Sequence, residues 1–289
     1  MEQNNTATEV GTAHETPAAG EIKHETTIFA EPIGQIGGFT VTNSLLSAWI
    51  ALLILIVLAL SLGSKIRRIP GMMQNFAEVI VLGAMNLADS VTNDRTITEK
   101  VFPLVFSVFL FIIINNWLGL LPGVGSIGFV LAEEGHQVFI PYLRGATADI
   151  NTTLAMGIFS VIAANVFGVM IVGGWKYFNK FINIQTLLSI PKDMKHNVAA
   201  VIVNPIKFFV GLIEIIGEFA KVASLSFRLF GNIFAGEVLL MAMASIFAFI
   251  LPIPFMFLEV IVGLIQALIF AVLTLVYFTI AAQDHSAEH

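Results

Sequence analysis

Eighteen consecutive residues from Leu45 to Leu62 carry no charge. At about 1.5 Å of rise per residue such a run nearly crosses a hydrocarbon core of roughly 30 Å. Inside lipid the backbone amides have to be satisfied within the segment itself, so the run reads as a transmembrane helix. Further apolar runs follow at Val101 to Leu121, Leu154 to Trp175 and Phe255 to Ala282. Only 12% of the 289 residues are charged, against about 25% in soluble domains. The fold class is therefore an all-α polytopic membrane protein. The chain has no cysteine, which excludes disulfides, thiolate metal sites and cysteine nucleophiles. A net charge of -6 argues against nucleic acid as a partner.

In chain order, residues 1–38 are polar and poor in large apolar side chains, so they read as a flexible N-terminal tail without a secretory signal. Residues 39–289 read as a single integral-membrane helical domain. Lys65, Arg67 and Arg68 follow the first span, whereas Glu25 and Glu31 precede it. The basic flank predicts a cytoplasmic side there, with the N-terminus outside. Residues 71–96 mix apolar positions with Glu78, Asp89 and Asp94 at helical spacing, which predicts a helix lying in the interface. Asn115 and Asn116 in the second span need partners from a neighbouring helix. The loop 122–149 carries Glu133, Glu134, His136, Arg144 and Asp149, and its acidic balance suits the outer face. Lys176, Lys180, Lys192 and Lys195 after the third span agree with that orientation.

From Ala199 to Ile250 the chain stays helical in character, at about 1.5 Å per residue some 75 Å, more than twice the hydrocarbon thickness. This element has to tilt strongly, lie partly in the interface or bend, and Gly231 and Gly236 are candidate flexures. LPIP at 251–254 reads as a turn, and the last helix returns the C-terminus to the cytoplasm. The count is about five crossing helices plus one interfacial helix, the last two long and strongly tilted.

Arg228 lies deep within that apolar stretch. A guanidinium cannot escape burial by losing its proton. Ionisable residues at membrane depth are functional candidates by default. At about 100° per residue, Glu214, Lys221, Arg228 and Asn232 share one stripe of the helix, with Glu218 slightly off it and Glu237 nearly opposite. Glu259, Gln266 and Tyr277, spaced seven and eleven residues apart, return one face of the last helix. Glu214, Glu218 and Lys221 lie near a helix end, where long charged side chains also snorkel to the interface, so both readings stand for them. A secondary ion transporter is the alternative that uses buried charges, but it is built on internal repeats, and no two halves of matching hydropathy occur here.

RLFGN at 228–232, AGE at 235–237 and QALIFAVLTLVYFTIA from Gln266 resemble the subunit a family of rotary F-type ATP synthases. GLLP at 119–122 and DINTT at 149–153 extend the resemblance over the chain from about residue 26 to its end. The resemblance implies a non-catalytic, proton-translocating stator subunit without cofactors, in a bacterial inner membrane. Its implied partners are a ring of c subunits facing Arg228, peripheral-stalk b subunits, lipid, and H+ in preference to Na+. Arg228 is then the family's essential arginine, and Asn232, Glu237 and Gln266 border the polar route to the outer face. Glu259 stands where relatives often bear a histidine, so this sequence has two acids on that route.

Overall fold

The computed structural model describes residues 22–23, 27–64, 69–133, 136–175, 177, 198–247 and 250–283. The basic flanks at Lys65, Arg67, Arg68, Lys176, Lys180, Lys192 and Lys195 lie outside these residues, as do Glu25, Glu134, most of the N-terminal tail and the chain after Gln283. Among the described residues run six α-helices: α1 (Asn43–Gly63), α2 (Met72–Thr92), α3 (Arg95–Gly119), α4 (Ile150–Val172), α5 (Val198–Ile246) and α6 (Pro252–Ala282). All but α2 contain a stretch long and apolar enough to cross a membrane, that of α5 being Phe209–Ile246. The molecule is an all-α polytopic membrane protein.

The helix starts are fixed by side-chain caps. The Thr42 hydroxyl accepts from the Leu45 amide at the head of α1, and the Asp94 carboxylate from the Thr96 and Ile97 amides at the head of α3. Asp149 caps α4 through the Asn151 amide and also accepts from Ser44 Oγ at 3.1 Å, which ties the N-terminal ends of α1 and α4 together. Such caps satisfy amides that the first turn leaves open. The reversal between α5 and α6 falls earlier than LPIP: Pro252 is already the first residue of α6. Proline has its φ set for that position and needs no hydrogen bond there.

Strands appear where composition gave no sign of them. β2 (Pro32–Ile36) and β3 (Phe39–Thr42) pair antiparallel through Gly37 and Gly38, at φ 58 and 86. Two successive positive φ values are the geometry of a tight hairpin turn that glycine permits. β4 (Gly128–Glu133) and β5 (His136–Pro141) form a second hairpin, with β1 (Ile22–Lys23) parallel to β5. Segments this short are beyond what apolar alternation can identify. The β2–β3 hairpin adjoins the head of α1, where the Asn43 amide donates to the Glu31 carbonyl at 3.1 Å.

α6 forms the middle of the packing, against α2, α3, α4 and α5. Ile112, Val161, Leu225, Leu229, Ala267 and Phe270 belong to one buried cluster, and Val101, Val105, Ala164, Leu275 and Phe278 to a second. Where no aqueous phase drives helices together, close backbone approach supplies the packing. Gly157 of α4 does so against α5: a Cβ there would come within 2.3 Å of Ser226 Oγ. Asn116, in need of a partner from sequence, donates to the Gly263 carbonyl of α6 at 2.9 Å and accepts from Thr147 Oγ1 at 2.7 Å. Trp117 Nε1 adds a bond to the Val260 carbonyl at 3.1 Å. Asn115 instead donates within its own helix, to Phe111.

Candidate functional site

α5 runs unbroken for 49 residues. Its partners on α6 fall in reverse order, Asn232 against Gln266 and Gly236 against Glu259, so the two helices are antiparallel. The helix is continuous through Gly231 and Gly236. Gly231 has open space around it, whereas a Cβ at Gly236 would lie 2.2 Å from the Glu259 carboxyl. Gly236 is the recess into which that acid fits.

The polar residues separate into three groups along α5. Toward its C-terminal end, Glu237 is gripped by Arg144 from the segment that precedes α4. Nη2 of Arg144 reaches Oε2 at 2.9 Å and Nε reaches both oxygens, at 3.0 and 3.1 Å. Nη1 donates to the Phe29 carbonyl at 3.3 Å, and the arginine side chain is only 5% exposed. Glu31 approaches the same pair, and burial pushes its carboxyl above the ordinary value, with Arg144 opposing and Glu237 adding to the rise. Beside this group, Glu259 is buried with Oε1 bonded to nothing among the described residues. One turn of α5 back, Asn232 Nδ2 donates to the buried Gln266 Oε1 at 2.6 Å.

Arg228 stands alone in the middle. It is exposed on the flank of α5, donates to Ser224 Oγ at 3.3 Å, and forms no ion pair among the described residues. Gln266, a possible neighbour of the arginine by sequence, is engaged by Asn232 instead.

The third group lies nearer the N-terminal end of α5. Lys221 Nζ meets Glu218 Oε1 at 2.6 Å and sits over the Tyr277 ring, 5.4 Å from its centroid. Asn165 of α4 donates to Glu218 Oε2 at 3.1 Å and accepts from the Tyr177 hydroxyl. Burial, with Glu218 and Glu214 adding to it, pushes the Tyr177 phenol up to about 12, so it keeps its donor proton throughout the neutral range. Glu214 lies half-buried a turn before Glu218. Glu218 and Lys221 both have partners inside the bundle.

By helical rise, Arg228 is roughly 14 Å from the level of Glu237 and about 15 Å from that of Glu218. The first of these groups shares its side with the head of α1, the tail of α3 and the head of α4. The second shares its side with the tails of α4 and α6. Two charged groups, each answered from within the chain, thus flank one cation that has no ion pair among the described residues.

Sequence reasoning missed Arg144, Asn165 and Tyr177. Arg144 had a signal, since it is the one lysine or arginine in the loop 122–149 and lies among apolar and small residues. Asn165 had one as well, an isolated amide within an apolar span.

The family described as ATP synthase A chain matches residues 45–279. A protein of Syntrophobacter fumaroxidans named ATP synthase subunit a is 32% identical over 257 residues, which cover 89% of this chain and 90% of that one. Proteins of the same name from Mycobacterium bovis and Mycobacterium marinum are 33% and 35% identical, each over 87% of this chain and 92% of the relative. Because both the family match and these relatives extend over the helices that carry all three polar groups, the chain belongs to the ATP synthase A chain family.

Proposed function

We propose that this chain is the stator of the ion path in a rotary ATP synthase, offering Arg228 to the carboxylates of a turning ring of c subunits. The observation that carries the reading is the bare guanidinium of Arg228 on an exposed flank of a membrane-crossing helix. Estimates of the cost of a lone charge at the bilayer centre run from about 3 to above 10 kcal/mol, so its counter-charge comes from outside the chain.

Protons enter from outside past Glu259, Asn232 and Gln266, along a route that Glu237 borders, and neutralise a ring carboxylate. A neutral site tolerates lipid, whereas a charged one does not, so the ring carries it round to the other side. There the polar group of Glu214, Glu218, Lys221 and Tyr277 lines the exit, and the bared carboxylate meets Arg228, which favours its ionised form. Arg228 also repels any cation crossing directly between the two paths. Each charge that crosses gains about 2.3 kcal/mol per 100 mV of membrane potential. Peripheral-stalk b subunits hold the chain still, the membrane is a bacterial inner membrane, and the tail 1–38 and the C-terminus face outside and cytoplasm respectively. Nucleotide chemistry belongs to other subunits.

The test uses inverted vesicles carrying the holoenzyme. Arg228→Ala is expected to abolish ATP-driven acidification while the chain remains in the complex, and full acidification by that variant overturns the reading. Because the chain has no cysteine, introduced pairs report the docking face cleanly. Crosslinks to the c subunit are expected from positions beside Arg228 and not from the opposite face of α5.

A further inference from the structure

We propose that Arg144 locks Glu237 into a permanent ion pair, and that Glu259 alone is the carboxyl that takes up and passes on the proton on the outer side of Arg228. This rests on the stator reading above and assigns different work to its two outer acids.

Proton accounting at the pair comes first. Nε and Nη2 of Arg144 both address the Glu237 carboxylate, between 2.9 and 3.1 Å, and Nη1 is occupied by the Phe29 carbonyl. The guanidinium is 5% exposed and cannot give up its own proton. A proton placed on Glu237 would therefore strand a desolvated cation, which is the costly way to break a buried pair. Glu31, from the segment ahead of β2, is the other charged group facing this pair. It is a second acid competing for Arg144 and supplies no cation to replace it.

Glu259 is built the opposite way. It is 8% exposed and pressed into the recess at Gly236, and its Oε1 has no hydrogen-bond partner among the described residues. It makes no ion pair among those residues, and what α3 sends toward this stretch of α6 is the amide of Asn116 and the indole of Trp117, which bond to backbone carbonyls. With no cation paired to it among the described residues, a proton is its counter-charge, and gaining or losing that proton breaks no ion pair among them. The relay then runs from Glu259 past the Asn232–Gln266 amide pair, 2.6 Å apart, to the ring.

The experiment is ATP-driven acidification by holoenzyme vesicles with the internal pH varied, chain content being matched by immunoblot. Glu259→Gln is expected to lose pumping about tenfold or more. Glu237→Gln, which strands Arg144, is expected to lose a comparable amount. The double variant Arg144→Gln with Glu237→Gln removes the pair as a unit and is expected to recover to within about threefold of the native rate. Arg144→Gln alone leaves Glu237 without its cation and is expected to change the shape of the pH profile, which a merely structural arginine would not do. A double variant as inactive as Glu237→Gln, or an Arg144→Gln profile of unchanged shape, overturns the proposal.

A second measurement needs no variant. A hydrophobic carbodiimide adds to protonated carboxyls, so peptide mass analysis of the native holoenzyme is expected to find Glu259 modified and Glu237 not. Modification of Glu237 overturns the assignment. Arg228→Ala, assayed in parallel, separates the two levels: if it still pumps, the stator reading fails, and if it is inactive while the double variant is inactive too, only the division of labour fails.

Discussion

Arg144 and Arg228 are both arginines at the flanks of α5, and they are used in opposite ways. Arg144 is buried, held by three contacts to Glu237 and one to a backbone carbonyl. Arg228 is exposed, donates to a serine hydroxyl and forms no ion pair among the described residues. The first spends its charge inside the fold, joining the segment before α4 and the chain ahead of β2 to α5. The second keeps its charge unspent at a depth where that is expensive. A charge satisfied at home contributes to architecture, and a charge left unsatisfied declares a partner.

The largest expected effect tests that contrast directly. Arg144→Ala leaves Glu237 without its cation, and breaking such a pair costs about 3–5 kcal/mol. The expected outcome is a lower content of the chain in membranes, read by immunoblot, in addition to the altered pH profile of the complexes that remain. Arg228→Ala removes no internal pair, so chain content stays native while acidification falls to background. Equal losses of content in both variants would erase the distinction.

Next in size is Gly236→Ala, which probes the acid between the two arginines. The new methyl would sit 2.2 Å from the Glu259 carboxyl, and overpacking of this kind costs about 1–3 kcal/mol. Because Glu259 has to move, pumping is expected to fall further than chain content does. A native rate for Gly236→Ala would mean that the seating of Glu259 does not matter.

A smaller effect is expected at the opposite end of α5. In the Glu218–Lys221 pair the side chains are 18% and 26% exposed, so the cost of Lys221→Met falls between the roughly 1 kcal/mol of an exposed pair and the about 3–5 of a buried one. Asn165 still donates to Glu218 in that variant, which limits the damage. Purified complex is expected to lose a few degrees of thermal stability, less than Arg144→Ala loses, and to keep part of its pumping. A loss as large as that of Arg144→Ala would make both ends of α5 equally dependent on their cations.

The two arginines also mark how much the sequence could disclose. Arg228 was legible because its cost is local: a charge within an apolar run signals itself wherever the chain goes. The polar faces of α5 and α6 were legible because helical periodicity fixes which residues share a side, and Asn232 does meet Gln266. The grip on Glu237 was not, because Arg144 lies 93 positions away and periodicity says nothing across such a separation. The role of Gly236 was hidden for the same reason, since a glycine inside a helix reads as a flexure until the neighbouring helix shows what fills its place. The short strands at 32–42 and 128–141 carry too few residues for alternation to register.

The smallest effect concerns Glu31, which asks whether Arg144 serves one acid or two. Burial pushes the Glu31 carboxyl above its usual 4.5, against the pull of Arg144 and with the push of Glu237. An acid that binds its proton more tightly in the fold than in the open chain stabilises the fold while the proton is bound. As pH rises past 4.5 the open chain loses its proton first, and native stability declines until the folded carboxyl has ionised as well. Glu31→Gln imitates the protonated form, so its advantage is nil at low pH and grows toward neutrality. Amide exchange of residues 28–45 in the holoenzyme, variant against native at each pH, is expected to be slower in the variant at neutral pH and equal below about 4.5. Faster exchange in the variant at neutral pH would reverse the sign and mean that Arg144 holds Glu31 ionised as a second counter-charge. The buried arginine would then balance two acids, and the contrast with Arg228, which balances none among the described residues, would be wider still.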